Sequence, residues 1–261
     1  MEISLLGKKA LVGGSSGGIG KAIAQQLAES GASVTLMARN EEKLQQVLDN
    51  LDVSKGQTHQ YLVVDFSNYE GYKKHISTFF ESNSIDILVN NTQGPPAGSA
   101  LEKTLADYQE AFDLLFKTVV YTTELALVHM RKQQWGRIIN VASVSVKEPL
   151  GYLALSNSVR AAVVTWGKSL ANDVGREGIT VNSVLTGYFD TDRIAQLNAK
   201  KAEQLGIAPT AVRADMEGKV PVGRIGDPSE YGYLAAFLAS DKAAYITGTQ
   251  IPIDGGLLKS L

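Results

Sequence analysis

The sequence predicts an α/β fold of the doubly wound type: a single domain whose seven-stranded parallel sheet carries helices on both faces. Three observations predict it. Short apolar runs alternate with longer helix-like segments along the chain, a glycine-rich turn joins the first run to the first helix, and no linker or shift of composition divides the 261 residues. Alternation of this kind demands crossover helices and a parallel sheet buried on both faces, whose strands are continuous apolar runs.

Taken in order, residues 9–12 form the first run, and 18–30 read as a helix with Ile19, Ile23, Ala24 and Leu27 on one face, closed by Gly31. Residues 33–37 are the second strand, 41–51 a helix, 60–64 a third strand ending at Asp65, and 69–80 a helix. Residues 86–89 give the fourth strand, followed by Asn90, Asn91 and a Gly94-Pro95-Pro96 loop. A long helix is expected over 102–132, a strand over 137–141, a second long helix over 153–176, and strands over 179–184 and 251–253.

Composition excludes several functions. The formal net charge is −2, 44% of residues are hydrophobic, 20% are charged and there is no cysteine. Disulfides, thiolate metal sites and cysteine nucleophiles are therefore ruled out. A polyanion binder needs a clear Lys/Arg excess, so nucleic acid is not an expected partner. His59, His75 and His129 lie far apart, which argues against a metal site. No signal segment and no run of roughly 18 apolar residues is seen, so the expected location is the cytoplasm and no membrane contact is expected.

The turn Gly13-Gly14-Ser15-Ser16-Gly17-Gly18-Ile19-Gly20 sits between the first strand and first helix. Glycine lets backbone approach a ligand closely, and a helix N-terminus offers free N–H groups to a pyrophosphate. Gly14, Gly18 and Gly20 give the spacing Gly-x3-Gly-x-Gly. With Asn90-Asn91, with Ile138-Ile139-Asn140-Val141-Ala142-Ser143, with Pro221-Val222-Gly223-Arg224-Ile225-Gly226-Asp227-Pro228 and with Asp254-Gly255-Gly256, this turn resembles the short-chain dehydrogenase/reductase family over nearly the whole chain. The likeness is to its classical, 3-oxoacyl-ACP-reductase-like members. It implies a Rossmann fold, a nicotinamide coenzyme and hydride transfer at a carbonyl or alcohol. The coenzyme positions it implies are Gly14, Ser16, Gly18, Ile19, Gly20, Arg39, Asp65, Phe66, Asn91, Arg160, Gly187 and Thr191.

An acidic residue after the second strand would repel a ribose 2′-phosphate. Here Leu36-Met37-Ala38-Arg39-Asn40 has an arginine and no carboxylate until Glu41, and a guanidinium fork suits a phosphate. NADP(H) is expected over NAD(H); a solvated arginine at a helix start is the alternative.

The resemblance also implies a tyrosine acid, a lysine four residues on, a serine, and an asparagine on the preceding long helix. Ser143 fills the serine position, but the tyrosine position is Ser156, the lysine position Arg160 and the asparagine position Leu115. The family's Asn-Asn-Ala-Gly reads Asn90-Asn91-Thr92-Gln93. Serine is a far weaker acid than a phenol, arginine cannot enter a proton relay, and leucine offers no hydrogen bond. Tyr152, one helical turn before Ser156, is a substitute acid if the helix starts early enough, and a packing tyrosine otherwise. Lys147 is a substitute cation or a solvated lysine. Arg160 is a ribose contact or a structural ion-pair member.

The resemblance places a substrate lid over 186–220, where five basic residues (Arg193, Lys200, Lys201, Arg213, Lys219) balance five acidic ones (Asp190, Asp192, Glu203, Asp215, Glu217), so no strongly acidic substrate is implied. Arg131, Lys132, Arg137 and Arg176 form either a basic surface suited to an acidic carrier or scattered solvated charges. Tyr121, Leu125, Trp166 and Leu170 lie outside one stripe on the long helices and call for cover; the resemblance implies that these helices pair across a two-fold axis in a homotetramer. The favoured reading is an NADP(H)-dependent oxidoreductase with a small-molecule carbonyl or alcohol substrate and a non-standard proton donor. An NADP(H)-binding sensor or assembly subunit without turnover is the alternative, and a lyase or isomerase comes third.

Overall fold

The computed structural model describes residues 2–260. Its seven strands are β1 (Lys9–Gly13), β2 (Ser33–Ala38), β3 (Gln60–Val63), β4 (Ile87–Asn90), β5 (Gly136–Val141), β6 (Ile179–Thr186) and β7 (Gln250–Ile253). They form one parallel sheet in the order β3-β2-β1-β4-β5-β6-β7, so the winding reverses between β1 and β4. Successive strand residues point to opposite faces. Ala10 and Val12 accordingly join one core cluster with Ile23, Leu27 and Tyr231, while Leu11 joins the other with Ile76, Met130 and Val159. Both faces are covered, as the apolar strands require.

The helices are α1 (Gly18–Glu29), α2 (Glu41–Leu48), α3 (Tyr69–Ser82), α4 (Leu105–Phe112), α5 (Thr118–Gln133), α6 (Ala154–Val174), α7 (Asp192–Leu205), α8 (Pro209–Lys219) and α9 (Pro228–Ala239). Four differ from expectation, among them α7 and α8, which fill the stretch read only as a lid. The long helix over 102–132 starts only at Leu105, after a Thr104–Asp107 capping box, and a π-helical turn, Asp113–Lys117, divides it. Helix α9 was not expected at all. It is buried through Tyr231, Gly232, Ala235, Ala236, Leu238 and Ala239, so no single apolar stripe marks it. Its start is nevertheless written in the sequence: Asp227 caps it, Pro228 opens it and Glu230 completes a capping box.

Arg137 is not part of a basic surface. Only 2% of it is exposed, and its guanidinium donates to the carbonyls of Gly136, Gly178 and Ser240 and to Asp241. Three carbonyls and one carboxylate can hold a buried fork that a single carboxylate would not. Tyr121 and Leu125 pack partly buried against the core, and Trp166 meets Phe116 edge-on, so these residues find much of their cover inside the chain. On α4 and α5 the exposed apolar residues are instead Leu105, Phe112 and Val128. No helix among the described residues is long and apolar enough to cross a membrane.

Candidate active site

Ligands of such sheets lie at the carboxyl edge where the winding reverses. The glycine turn occupies that place. Gly14 and Gly18 take φ of 56° and 52°, the left-handed region in which a side chain is strained. The turn is fastened on two sides. Ser15 Oγ accepts from the Met37 amide at 2.8 Å, tying it to β2, and Asn91 Nδ2 donates to the Gly13 carbonyl at 3.0 Å, tying it to the end of β4. A Cβ on Gly20 would overlap the Gly14 carbonyl oxygen, and one on Gly17 would meet nothing within 4 Å. The turn is therefore closed behind and open in front. No side chain caps the α1 N-terminus, so its first amides are free to meet an anion.

The other implied coenzyme positions gather along the same edge. Ser16 and Ile19 are half-buried, Ile19 resting on the core. Arg39 is exposed at the end of β2, with no ion pair among the described residues. Beyond β3, Asp65 accepts from the amide and hydroxyl of Ser67, and these bonds, with Arg39 adding a smaller pull, hold its carboxyl below the usual range. Phe66, next in the chain, is 6% exposed and its ring packs on Tyr72. Gly187 donates from its amide to the Ile253 carbonyl at 3.0 Å, and a Cβ there would come within 2.6 Å of Asp254 Cα. Thr191 caps α7, and its methyl stands 3.1 Å from where a Gly18 Cβ would be.

Ser143 follows β5. Its Oγ accepts from the Ser145 amide at 3.1 Å, which occupies a lone pair and leaves the hydroxyl proton free to donate. Ser156 and Arg160 stand one turn apart on α6. Arg160 donates Nη1 to the Val141 carbonyl at 2.6 Å and Nε to Ser156 Oγ at 3.3 Å. The residue is half-buried with its guanidinium end inside, and burial pushes its pKa down, against a favourable pull from Tyr231. It makes no structural ion pair among the described residues, so its charge is held by carbonyl and hydroxyl dipoles. Tyr231 cannot serve as the missing acid, because burial raises its phenol and its side chain is 0% exposed.

The substitute roles divide. Helix α6 begins at Ala154, so Tyr152 lies outside it, and the condition for sharing the Ser156 face is not met. Its carbonyl instead accepts from Gly98, and its ring is 49% exposed. Lys147 is exposed behind a short 3-10 turn, Val144–Val146, with no side-chain partner among the described residues. A cavity of about 10 Å³, room for one water, is lined by Asn90, Thr92, Leu115, Val141, Ala142 and Arg160. Leu115 reaches it from the π-helical turn. Sequence reasoning missed two features: the buried chain in which Asn90 donates to Asn140 and Thr123, and the contact of Arg193 with Pro95. Asn90 was legible as a polar residue closing an apolar strand; nothing in the sequence signalled the Arg193 contact.

Residues 14–258 match the family model described as enoyl-(acyl carrier protein) reductase. The chain is 33% identical over 260 residues to the 3-oxoacyl-(acyl-carrier-protein) reductase FabG of Chlamydia pneumoniae, covering 98% of this chain and 99% of that one. It is 36% identical over 258 residues to FabG of Vibrio cholerae, covering 98% and 99%. Among solved structures, L-sorbose reductase from Gluconobacter frateurii, complexed with NADPH and L-sorbose, superposes with a TM-score of 0.92 at 29% identity and full coverage of both chains. Matching this family model over residues 14–258 and these relatives over nearly its whole length, the chain belongs to the short-chain dehydrogenase/reductase family.

Proposed function

We propose that the chain is an NADP(H)-dependent oxidoreductase acting on a small-molecule carbonyl or alcohol, with Ser143 as hydrogen-bond donor and no phenolic acid at the usual place. The observation that carries this reading is the glycine turn, fastened to β2 and β4, open in front and followed by uncapped helix amides. Those amides fit a diphosphate, and Arg39, without an ion pair among the described residues, fits a ribose 2′-phosphate. NADPH, when bound, supplies a hydride. The residues of the chain then orient and stabilise: Ser143 donates to the acceptor oxygen, while the fixed charge of Arg160, held from Val141, favours negative charge developing nearby.

The missing acid favours one kind of acceptor. A saturated carbonyl becomes an alkoxide, which needs a proton at once. A conjugated enoyl compound becomes an enolate, whose charge is spread over oxygen and carbon. Ser143 and Arg160 can hold that charge until water protonates carbon. This second reading rests on Ser156 and Leu115 standing where the family has an acid and a relay asparagine.

Calorimetry with NADPH and NADH tests the coenzyme, and loss of NADPH absorbance with saturated and enoyl thioesters and with simple ketones tests the reaction. Binding without turnover on any of them supports the sensor reading instead, and no binding of either dinucleotide overturns both. We further propose self-association, to a tetramer, through the face that exposes Leu105 (87%) and Val128 (73%).

A further inference from the structure

We propose that Arg193 is a coenzyme anchor: a strap that crosses the diphosphate seat from the lid and contacts the bridging phosphates of a bound dinucleotide. This rests on the coenzyme reading above. Arg193 Nη2 donates to the Pro95 carbonyl at 3.2 Å, and its Nη2 and Nε lie 3.7 and 3.9 Å from where a Gly94 Cβ would stand. The two ends of this bridge are both rooted on the glycine turn. Two residues before Arg193, Thr191 touches Gly18; a few residues before Pro95, Asn91 binds the Gly13 carbonyl and lies against Gly14. Arg193 thus bridges two segments that each contact the glycine turn, one at Gly18 and the other at Gly13 and Gly14.

The charge pattern agrees. Arg213 pairs with Asp190 and Glu217, and Lys201 and Lys219 pair with Asp215. Arg193 enters no ion pair among the described residues and spends a single N–H on a neutral carbonyl. A guanidinium has five N–H donors, so four remain for an anion, in a geometry suited to phosphate. Arg193 and Lys200 are thus the lid cations without an ion pair among the described residues, and Arg193 is the one whose guanidinium bonds the loop after β4.

The test compares two ligands on the intact protein by calorimetry, with dissociation followed by stopped-flow fluorescence. NADPH carries the diphosphate bridge; adenosine 2′,5′-bisphosphate keeps the 2′-phosphate but lacks the bridge. Arg193→Met should raise the Kd for NADPH at least about tenfold and speed its release, while leaving the bisphosphate within about twofold. Arg193→Lys, a point charge without the fork, should fall between. An unchanged NADPH Kd in Arg193→Met overturns the strap, as does equal weakening of both ligands, which would mean a general disturbance of the site. If the wild type binds neither ligand, the coenzyme reading itself fails and the strap with it.

Discussion

Arg160 Nη1 and the Val141 carbonyl are 2.6 Å apart, so the cation of the site is pinned to the last residue of β5 rather than to any carboxylate. Replacing it leaves a buried carbonyl unpaired. Arg160→Met should therefore lose about 1–3 kcal/mol of stability, seen as a lower Tm. It should also lose activity beyond what the Tm change explains. Unchanged thermal stability would show that the bond carries nothing.

Arg39 is exposed and free of ion pairs among the described residues, with Asp65 near enough to feel its charge. Arg39→Asp places a carboxylate where the 2′-phosphate would sit. The Kd for NADPH should rise by roughly ten- to a hundredfold, as expected for losing a charged hydrogen bond, with NADH affected far less. Equal loss for both coenzymes would contradict the assignment.

Ser143 and Tyr152 can be separated by kinetics. Ser143→Ala removes the hydroxyl that directly follows β5 with its proton free to donate, and kcat should fall about a hundredfold or more, as for an oxyanion donor. Tyr152→Phe, outside α6 and half-exposed, should leave kcat within about threefold. A large loss in Tyr152→Phe with little in Ser143→Ala would reverse the roles.

The start of α9 gives a pH signature. Arg224, first, and the Asp227 amide, next, hold the Glu230 carboxyl at about 2, against 4.5 unperturbed. Because the folded value is depressed, the stabilisation is complete above the unfolded value and is lost as pH falls from about 4.5 toward about 2. The pair is solvent-screened, so less than about 1 kcal/mol is at stake. The Tm difference between wild type and Glu230→Gln should be largest near neutral pH and vanish near pH 2.

Much of this molecule is legible in the sequence because the signals are local. The apolar runs gave the strands to within a residue or two, and the order of glycines located the turn. Ser143 and Arg160 entered through the family resemblance, Ser143 as the end of the run Ile138 to Ser143 that carries it and Arg160 as the residue four after Ser156. What failed depended on tertiary context. Arg137 reads as exposed until three separate segments bring carbonyls to it. Tyr152 hinged on where α6 begins, and no side chain caps that helix to mark the spot. The π-helical turn has neither proline nor glycine to betray it. The Arg193–Pro95 contact joins segments almost a hundred residues apart, a distance across which sequence pattern is silent.

That π-helical turn also sets an angle. An α-helix advances about 100° per residue, so Leu105 and Val128 would stand about 140° apart on an unbroken rod. One wide turn absorbs an extra residue and takes back about 100°, leaving them about 40° apart, with Phe112 about 20° to the other side of Leu105. Three oily side chains from two helices are thereby brought into phase along a single line. Deleting one residue between 113 and 117 would turn the wide turn into an ordinary helical one and keep Val128 in that line, whereas forcing all five residues into an unbroken rod would swing it out and split the seam.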